Sequence, residues 1–182
     1  MTLQTIKKNT VKALEESGSP SAALDTDCLL QFFLNKDKTF ILTHHDLELT
    51  ESQISDFNSL VEKRKTGFPI AYITGKKEFF GYNFFVTLDV LIPKPDTEIL
   101  VEDAINTIVE FYNANFNSQN KIISDSRVIR IADICSGSGC IGLSVLKSLE
   151  EKIADKNVFD LTMTDLSDKA LAVTKKNAES LF

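Results

Sequence analysis

Apolar positions recur at helical spacing through the first third of the chain. Leu3, Ile6, Thr10, Val11 and Leu14 fall on one stripe, and Gly18 supplies a stop. Ser19-Pro20 has the form of an N-cap followed by the proline favoured at the first helical position. It opens a segment with Leu24, Cys28, Leu29, Phe32 and Phe33 on its apolar side. A short third element surrounds Phe40, Ile41 and Leu42. Thr50-Glu51-Ser52-Gln53 fits a capping box, with Leu49 and Ile54 placed for a hydrophobic staple. Ile54, Phe57, Leu60 and Val61 then form a stripe, and Lys63, Arg64 and Lys65 complement the helix C-terminal dipole before Gly67. Residues 1–66 are predicted to be a helical bundle without chemistry of its own.

The period changes after Pro69. Ile70 to Gly75 leads into Glu78-Phe79-Phe80-Gly81-Tyr82-Asn83-Phe84-Phe85-Val86, rich in aromatic and β-branched residues, which predicts a hairpin about a Gly-Tyr-Asn turn. Val90-Leu91-Ile92 runs into Pro93-Lys94-Pro95, an extended segment, because a residue before proline is pushed out of the helical region. Asp96 is placed to cap a helix through Tyr112, with Val101, Ala104, Ile105, Ile108 and Phe111 or Tyr112 on its core face. Asn113 to Ser126 reads as a loop. Val128–Ile134 then predicts a buried strand, Cys135–Gly139 a turn, Cys140–Leu149 a helix and Val158–Thr164 a second strand. Ser167 caps a last helix. This strand–helix–strand–helix order implies a parallel sheet.

Composition narrows the classes. The 182 residues are 43% hydrophobic and 25% charged, as in ordinary globular domains, and no apolar run reaches bilayer length. The start lacks a signal-peptide core, so the chain is expected to be cytoplasmic. A net charge of −6 is spread over both parts of the chain. That argues against a broad phosphate-gripping surface and against nucleic acid as a direct substrate. Cys28, Cys135 and Cys140 lack disulfide or zinc spacing, and His44 and His45 are adjacent, so no metal site is expected.

Chemistry concentrates at Gly137-Ser138-Gly139-Cys140-Ile141-Gly142, which satisfies G-x-G-x-x-G, with Asp165 ending the next strand. Glycines let the backbone approach a ligand, and a carboxylate in that place can accept from both hydroxyls of a ribose. This predicts a nucleoside cofactor without saying which. Asp133, just before the turn in D-I-C-S-G-S-G, would oppose a pyrophosphate and suits the positive charges of S-adenosylmethionine.

Three runs make a more specific pattern. They are Gly67-Phe68-Pro69-Ile70-Ala71-Tyr72-Ile73-Thr74-Gly75-Lys76-Lys77-Glu78-Phe79-Phe80-Gly81, then Val90-Leu91-Ile92-Pro93-Lys94-Pro95-Asp96-Thr97-Glu98, then Asp133 to Ile141. Together with Thr164-Asp165-Leu166-Ser167-Asp168-Lys169-Ala170-Leu171, they resemble the protein-(glutamine-N5) methyltransferases that modify peptide-chain release factors.

The resemblance implies an α/β architecture in three parts. Residues 1–66 would be a helical substrate-recruiting domain, 67–95 a β-hairpin linker, and 96–182 the first part of a class I, Rossmann-like methyltransferase domain. It implies S-adenosylmethionine as cofactor and a release factor as protein partner. Asp133, Cys135, Ser136, Gly137, Ser138, Gly139 and Asp165 would bind the cofactor, and Pro93, Lys94 and Thr97 would border the pocket. Two residues depart from the family pattern. Lys94 stands where arginine is usual and cannot make the same bidentate contacts. Cys135-Ser136 replaces the commoner Gly-Thr.

Family members also carry an Asn-Pro-Pro-Tyr motif that orients the glutamine amide, and these 182 residues contain no such run. The chain is therefore expected to be truncated before that motif, with no catalytic residue of its own. It is expected to be inactive alone, with one edge of its first strand open. The alternatives are a nucleic-acid N-methyltransferase, a nicotinamide-dependent dehydrogenase, which Asp133 disfavours, and a non-catalytic protein-interaction module.

Overall fold

Four helices and a short fifth build the first part of the molecule. The computed structural model describes residues 1–116 and 128–182, so most of the loop expected at 113–126 lies outside the described residues. The helices are α1 (Leu3–Glu16), α2 (Ala22–Leu34), α3 (Lys38–Thr43), α4 (Glu51–Lys65) and α5 (Ile70–Thr74). The Thr50–Gln53 capping box is formed in both directions, and Leu49 and Ile54 join the core beneath it. Leu3, Ile6, Leu14, Leu29, Leu30, Ile41, Phe57 and Val61 are buried together there.

Three details of this part differ from the sequence reading. Helix α2 starts at Ala22 rather than behind Pro20, because the Ser19 and Ser21 hydroxyls both donate to the Asp25 carboxylate (2.7 and 3.1 Å) instead of capping. Its buried face is Ala22, Asp25, Thr26, Leu29 and Leu30, while Leu24 and Phe32 are exposed. Arg64 is the reason. Its Nε donates to Asp25 Oδ2 at 2.8 Å and its Nη1 to the Phe68 carbonyl at 3.3 Å, so it is a largely buried ion partner rather than a surface dipole charge. Residues 70–74 are helical, not a strand approach. Pro69 sits at the N-cap, and Gly75 ends the turn in the left-handed region.

The remainder contains β1 (Lys76–Phe79), β2 (Tyr82–Phe85), α6 (Glu98–Asn115), β3 (Ile129–Ile134), α7 (Cys140–Lys152), β4 (Phe159–Thr164) and α8 (Asp168–Leu181). Strands β1 and β2 form the expected hairpin, but its turn is Phe80-Gly81, with both residues at positive φ. Phe79 opposite Tyr82 is the register that puts Phe79 and Phe84 on one buried face, where their rings meet edge to face. The turn's amides are held by carboxylates: Phe80 N–H donates to Glu98 (3.0 Å) and Gly81 N–H to Glu78 (2.9 Å). The Pro93–Glu98 run and the hairpin are thus physically joined.

Helix α6 begins at Glu98 behind a 3-10 turn at Pro95–Thr97, so Asp96 is not its cap. Thr97 holds that position without a side-chain bond. Val101 and Ile105 are its buried residues, and Tyr112 rather than Phe111 packs on the core. Strands β3 and β4 run parallel, Ile129 opposite Phe159 through Ile134 opposite Thr164. Their inner face packs on a core with Leu143, Val145 and Leu149 of α7. Their other face, with Arg130, Ala132, Ile134, Asp160, Thr162 and Thr164, is exposed, so β3 is not the fully buried strand its sequence suggests. Among the described residues β4 is the sole strand paired with β3, leaving the other β3 edge open as expected.

The described residues divide into two compact units, Met1–Gly75 and Lys76–Phe182. Residues 67–75, grouped above with the hairpin, therefore lie in the first unit. No described helix is long and apolar enough to cross a membrane.

Breaking a largely buried ion pair by removing one partner costs about 3 kcal/mol. Arg64→Ala is expected to lower the opening free energy of α2 and α4 amides by that amount in native-state hydrogen exchange. A change under about 1 kcal/mol would instead put the pair with surface bridges.

Candidate cofactor-binding site

The turn between β3 and α7 takes left-handed backbone at three positions. Cys135, Gly137 and Gly139 have φ of +65°, +57° and +77°. A β-carbon at Gly137 would meet nothing within 4 Å, so its side is open. At Gly139 a β-carbon would lie 3.0 Å from both Leu143 and Thr174, and at Gly142 it would lie 2.8 Å from an Asp133 oxygen. Gly139 and Gly142 thus serve packing, whereas Gly137 leaves space a ligand could use. Cys135 is exposed, and its side chain occupies a backbone conformation that glycine takes without cost.

Two carboxylates bracket this turn. Asp165 accepts from Gly137 N–H and from Ser167 N–H, one on each oxygen, both at 2.9 Å. Those backbone donors, Ser167 first, hold its carboxyl below the usual carboxylate range. Each oxygen keeps a further lone pair, so the group still has two acceptor sites. Asp133 turns onto the first turn of α7, where its Oδ2 accepts from Gly142 N–H at 3.0 Å. Burial raises its pKa, the Gly142 bond pulls it partly back, and the nearby Asp165 charge adds to the rise. Burial also pushes the Cys140 thiol up.

The turn's carbonyls are tied inward. Ser136 O accepts from Gly139 N–H (2.7 Å) and Gly139 O from Leu143 N–H (3.0 Å). Gly137 O accepts from the Thr174 hydroxyl (2.8 Å) and Ser138 O from the Asn177 carboxamide (2.8 Å). The Ser136 and Thr174 hydroxyls lie 3.2 Å apart, and both serines of the turn are buried. The Ser136 and Ser138 side chains therefore lie within the fold.

The structure brings Asp133, Cys135–Gly139 and Asp165 together around one turn. Pro93 is buried, Lys94 exposed and Thr97 half-buried. No hydrogen bond among the described residues links these three to the turn. Three residues escape the sequence reading. Leu166, beside Asp165, is wholly exposed, which is unusual for a large apolar side chain. Thr174 and Asn177 are polar, yet they share the buried stripe Ala170, Val173, Thr174, Asn177 at positions i, i+3, i+4 and i+7. That periodicity was readable from the sequence.

A helical unit preceding a strand, glycine turn, helix, strand and helix, with an acid ending the second strand, is consistent with a partial methyltransferase fold. Residues 6–75 match the PrmC N-terminal domain. The chain is 34% identical over 179 residues to the release factor glutamine methyltransferase of Clostridium acetobutylicum, covering 97% of this chain and 55% of that protein. It is 34% identical over 174 residues to the enzyme of the same name from Leptospira interrogans, covering 96% and 54%. It is likewise 34% identical over 178 residues to a bifunctional methyltransferase of Rickettsia typhi, covering 96% and 33%. The chain is thus similar to release factor glutamine methyltransferases along nearly its whole length, and it spans about half the length of the first two of these curated relatives and a third of the last.

Two substitutions test the geometry. Cys135→Gly removes left-handed strain from an exposed position and is expected to stabilise the second unit by about 1 kcal/mol in urea unfolding. A loss of stability would mean the side chain makes a contact of value. For Asp133, a raised folded-state pKa means the folded chain holds that proton to higher pH than the unfolded chain. Its contribution favours folding at low pH and is lost as pH rises through the folded value. Asp133→Asn keeps an acceptor for Gly142 N–H, so its Tm should gain on the parent as pH rises from about 4 to 7. A parallel pH dependence of the two proteins would contradict this.

Proposed function

We propose that this chain carries the substrate-recruiting unit and the cofactor turn of an S-adenosylmethionine-dependent enzyme. The reaction is N5-methylation of the glutamine in the Gly-Gly-Gln loop of peptide-chain release factors. The observation that carries the reading is Asp133 seated on the α7 N-terminus. In a dinucleotide site the free N–H groups of that helix end would face a pyrophosphate. Here one of them is bound by a carboxylate, which repels phosphate and suits a cationic ligand. The relatives' names supply the reaction class, and the paired hairpin and Pro93–Glu98 segments extend the likeness beyond the turn.

The residues present fit the cofactor. The two remaining acceptor sites of Asp165 match a ribose diol, and the open side of Gly137 lets the backbone of Cys135–Gly139 wrap the methionine part. Exposed Leu166 offers an apolar surface for the flat face of the base. Pro93, Lys94 and Thr97 would border the pocket. S-adenosylmethionine supplies, when bound, a methyl group activated by a positively charged sulfur. These 182 residues hold no Asn-Pro-Pro-Tyr run, so their part is binding and orientation, and no residue here is assigned to the amide. A release factor as partner places the enzyme in the cytoplasm.

Isothermal titration of the chain with S-adenosylhomocysteine and with NAD tests this reading. Binding of the first and not the second is expected, and the reverse would establish a dehydrogenase-type site. Asp165→Ala removes both acceptors offered to the ribose diol and is expected to weaken S-adenosylhomocysteine by about tenfold or more. Affinity within twofold of the parent would remove Asp165 from the site.

A further inference from the structure

Asn177 is only 1% exposed, and both its side-chain amide hydrogens and one lone pair of its oxygen are spent on backbone from two other parts of the chain. Its Oδ1 accepts from Phe85 N–H at 2.7 Å. Its Nδ2 donates to Phe85 O at 2.9 Å and to Ser138 O at 2.8 Å. The carboxamide thus pairs with the last residue of β2 as a neighbouring strand would, while gripping the middle of the glycine turn. One helical turn earlier, Thr174 holds the Gly137 carbonyl. Lys176 reinforces the junction, with its Nζ 3.3 Å from the Phe85 ring centroid.

We propose that Asn177 is a positioning residue: it couples the glycine turn to the end of the hairpin, so that filling the turn is felt at Phe85. From Phe85 the chain runs through buried Val86 and Val90 to Pro93, Lys94 and Thr97, the segment assigned to the pocket border. Glu98, just beyond, returns to the hairpin turn through Phe80 N–H. The hairpin and this segment form one closed loop of contacts, and Asn177 is its bond to the cofactor turn. The proposal rests on the cofactor reading above. It adds that the pocket border and the cofactor turn move as one body, although no hydrogen bond joins them directly.

The test is amide hydrogen exchange on the 182-residue chain, with and without S-adenosylhomocysteine. The expected result is slower exchange at Gly137 and Gly139 and also at Phe85, which is no part of the cofactor site. In Asn177→Ala, checked for retained helical circular dichroism, Phe85 should cease to respond, and affinity should fall about tenfold, since buried backbone groups lose their partner. Protection confined to the turn in the unaltered protein would overturn the proposal whether or not the variant folds. So would a Phe85 response that survives in Asn177→Ala. Absence of any S-adenosylhomocysteine binding by the unaltered protein defeats the cofactor reading itself, a result distinct from the other two.

Discussion

A loop that leaves a strand for a helix must satisfy its backbone groups without help from a sheet ladder, and here the work falls to four side chains. Asp165 takes the Gly137 N–H, Asp133 takes the Gly142 N–H, Thr174 binds the Gly137 carbonyl and Asn177 binds the Ser138 carbonyl. They come from three places in the chain: the ends of β3 and β4 and one face of α8. The turn can therefore stay in the left-handed conformations it needs while presenting an open side at Gly137. The proposed site in the second unit is arranged around that constraint. The carboxylates set its charge, α8 ties it to the hairpin, and the hairpin carries the Pro93–Glu98 segment.

The same reasoning separates the glycines, which the motif treats as equals. At Gly139 and Gly142 side chains of the fold itself press on the position, whereas Gly137 faces open space and is required by its left-handed φ of +57°. Cys135 stands apart. It adopts a glycine-like conformation with a β-carbon in place, so the chain tolerates strain at the entrance of the turn.

What could be read from the sequence was local in origin. The Thr50 capping box, the Ser167 cap, the parallel strand pair and the glycine turn each follow from residues a few positions apart. What escaped was settled by distant partners. Arg64 reads as a dipole-complementing charge at the end of α4, and only its pairing with Asp25, 39 positions away, reveals α2's true buried face. Ile70–Thr74 has strand-like composition but is ended as a helix by Gly75. The hairpin turn falls at Phe80-Gly81 because Phe79 and Phe84 must share a face, and because Glu98 satisfies an amide at an unfavourable position. Asn177 stands in the sequence as a polar residue beside two lysines. Its place in the buried stripe of α8 was the signal.

The central claim is that the glycine turn, bracketed by Asp133 and Asp165, receives an adenosine-containing cation. Backbone chemical-shift mapping of the isotopically labelled chain during titration with S-adenosylmethionine tests it most directly. The account predicts the largest shifts at the amides of residues 135–139 and at Asp165 and Leu166, with the helices of the first unit unmoved. Shifts centred elsewhere, or a saturating ligand that leaves the Gly137 amide in place, would contradict it.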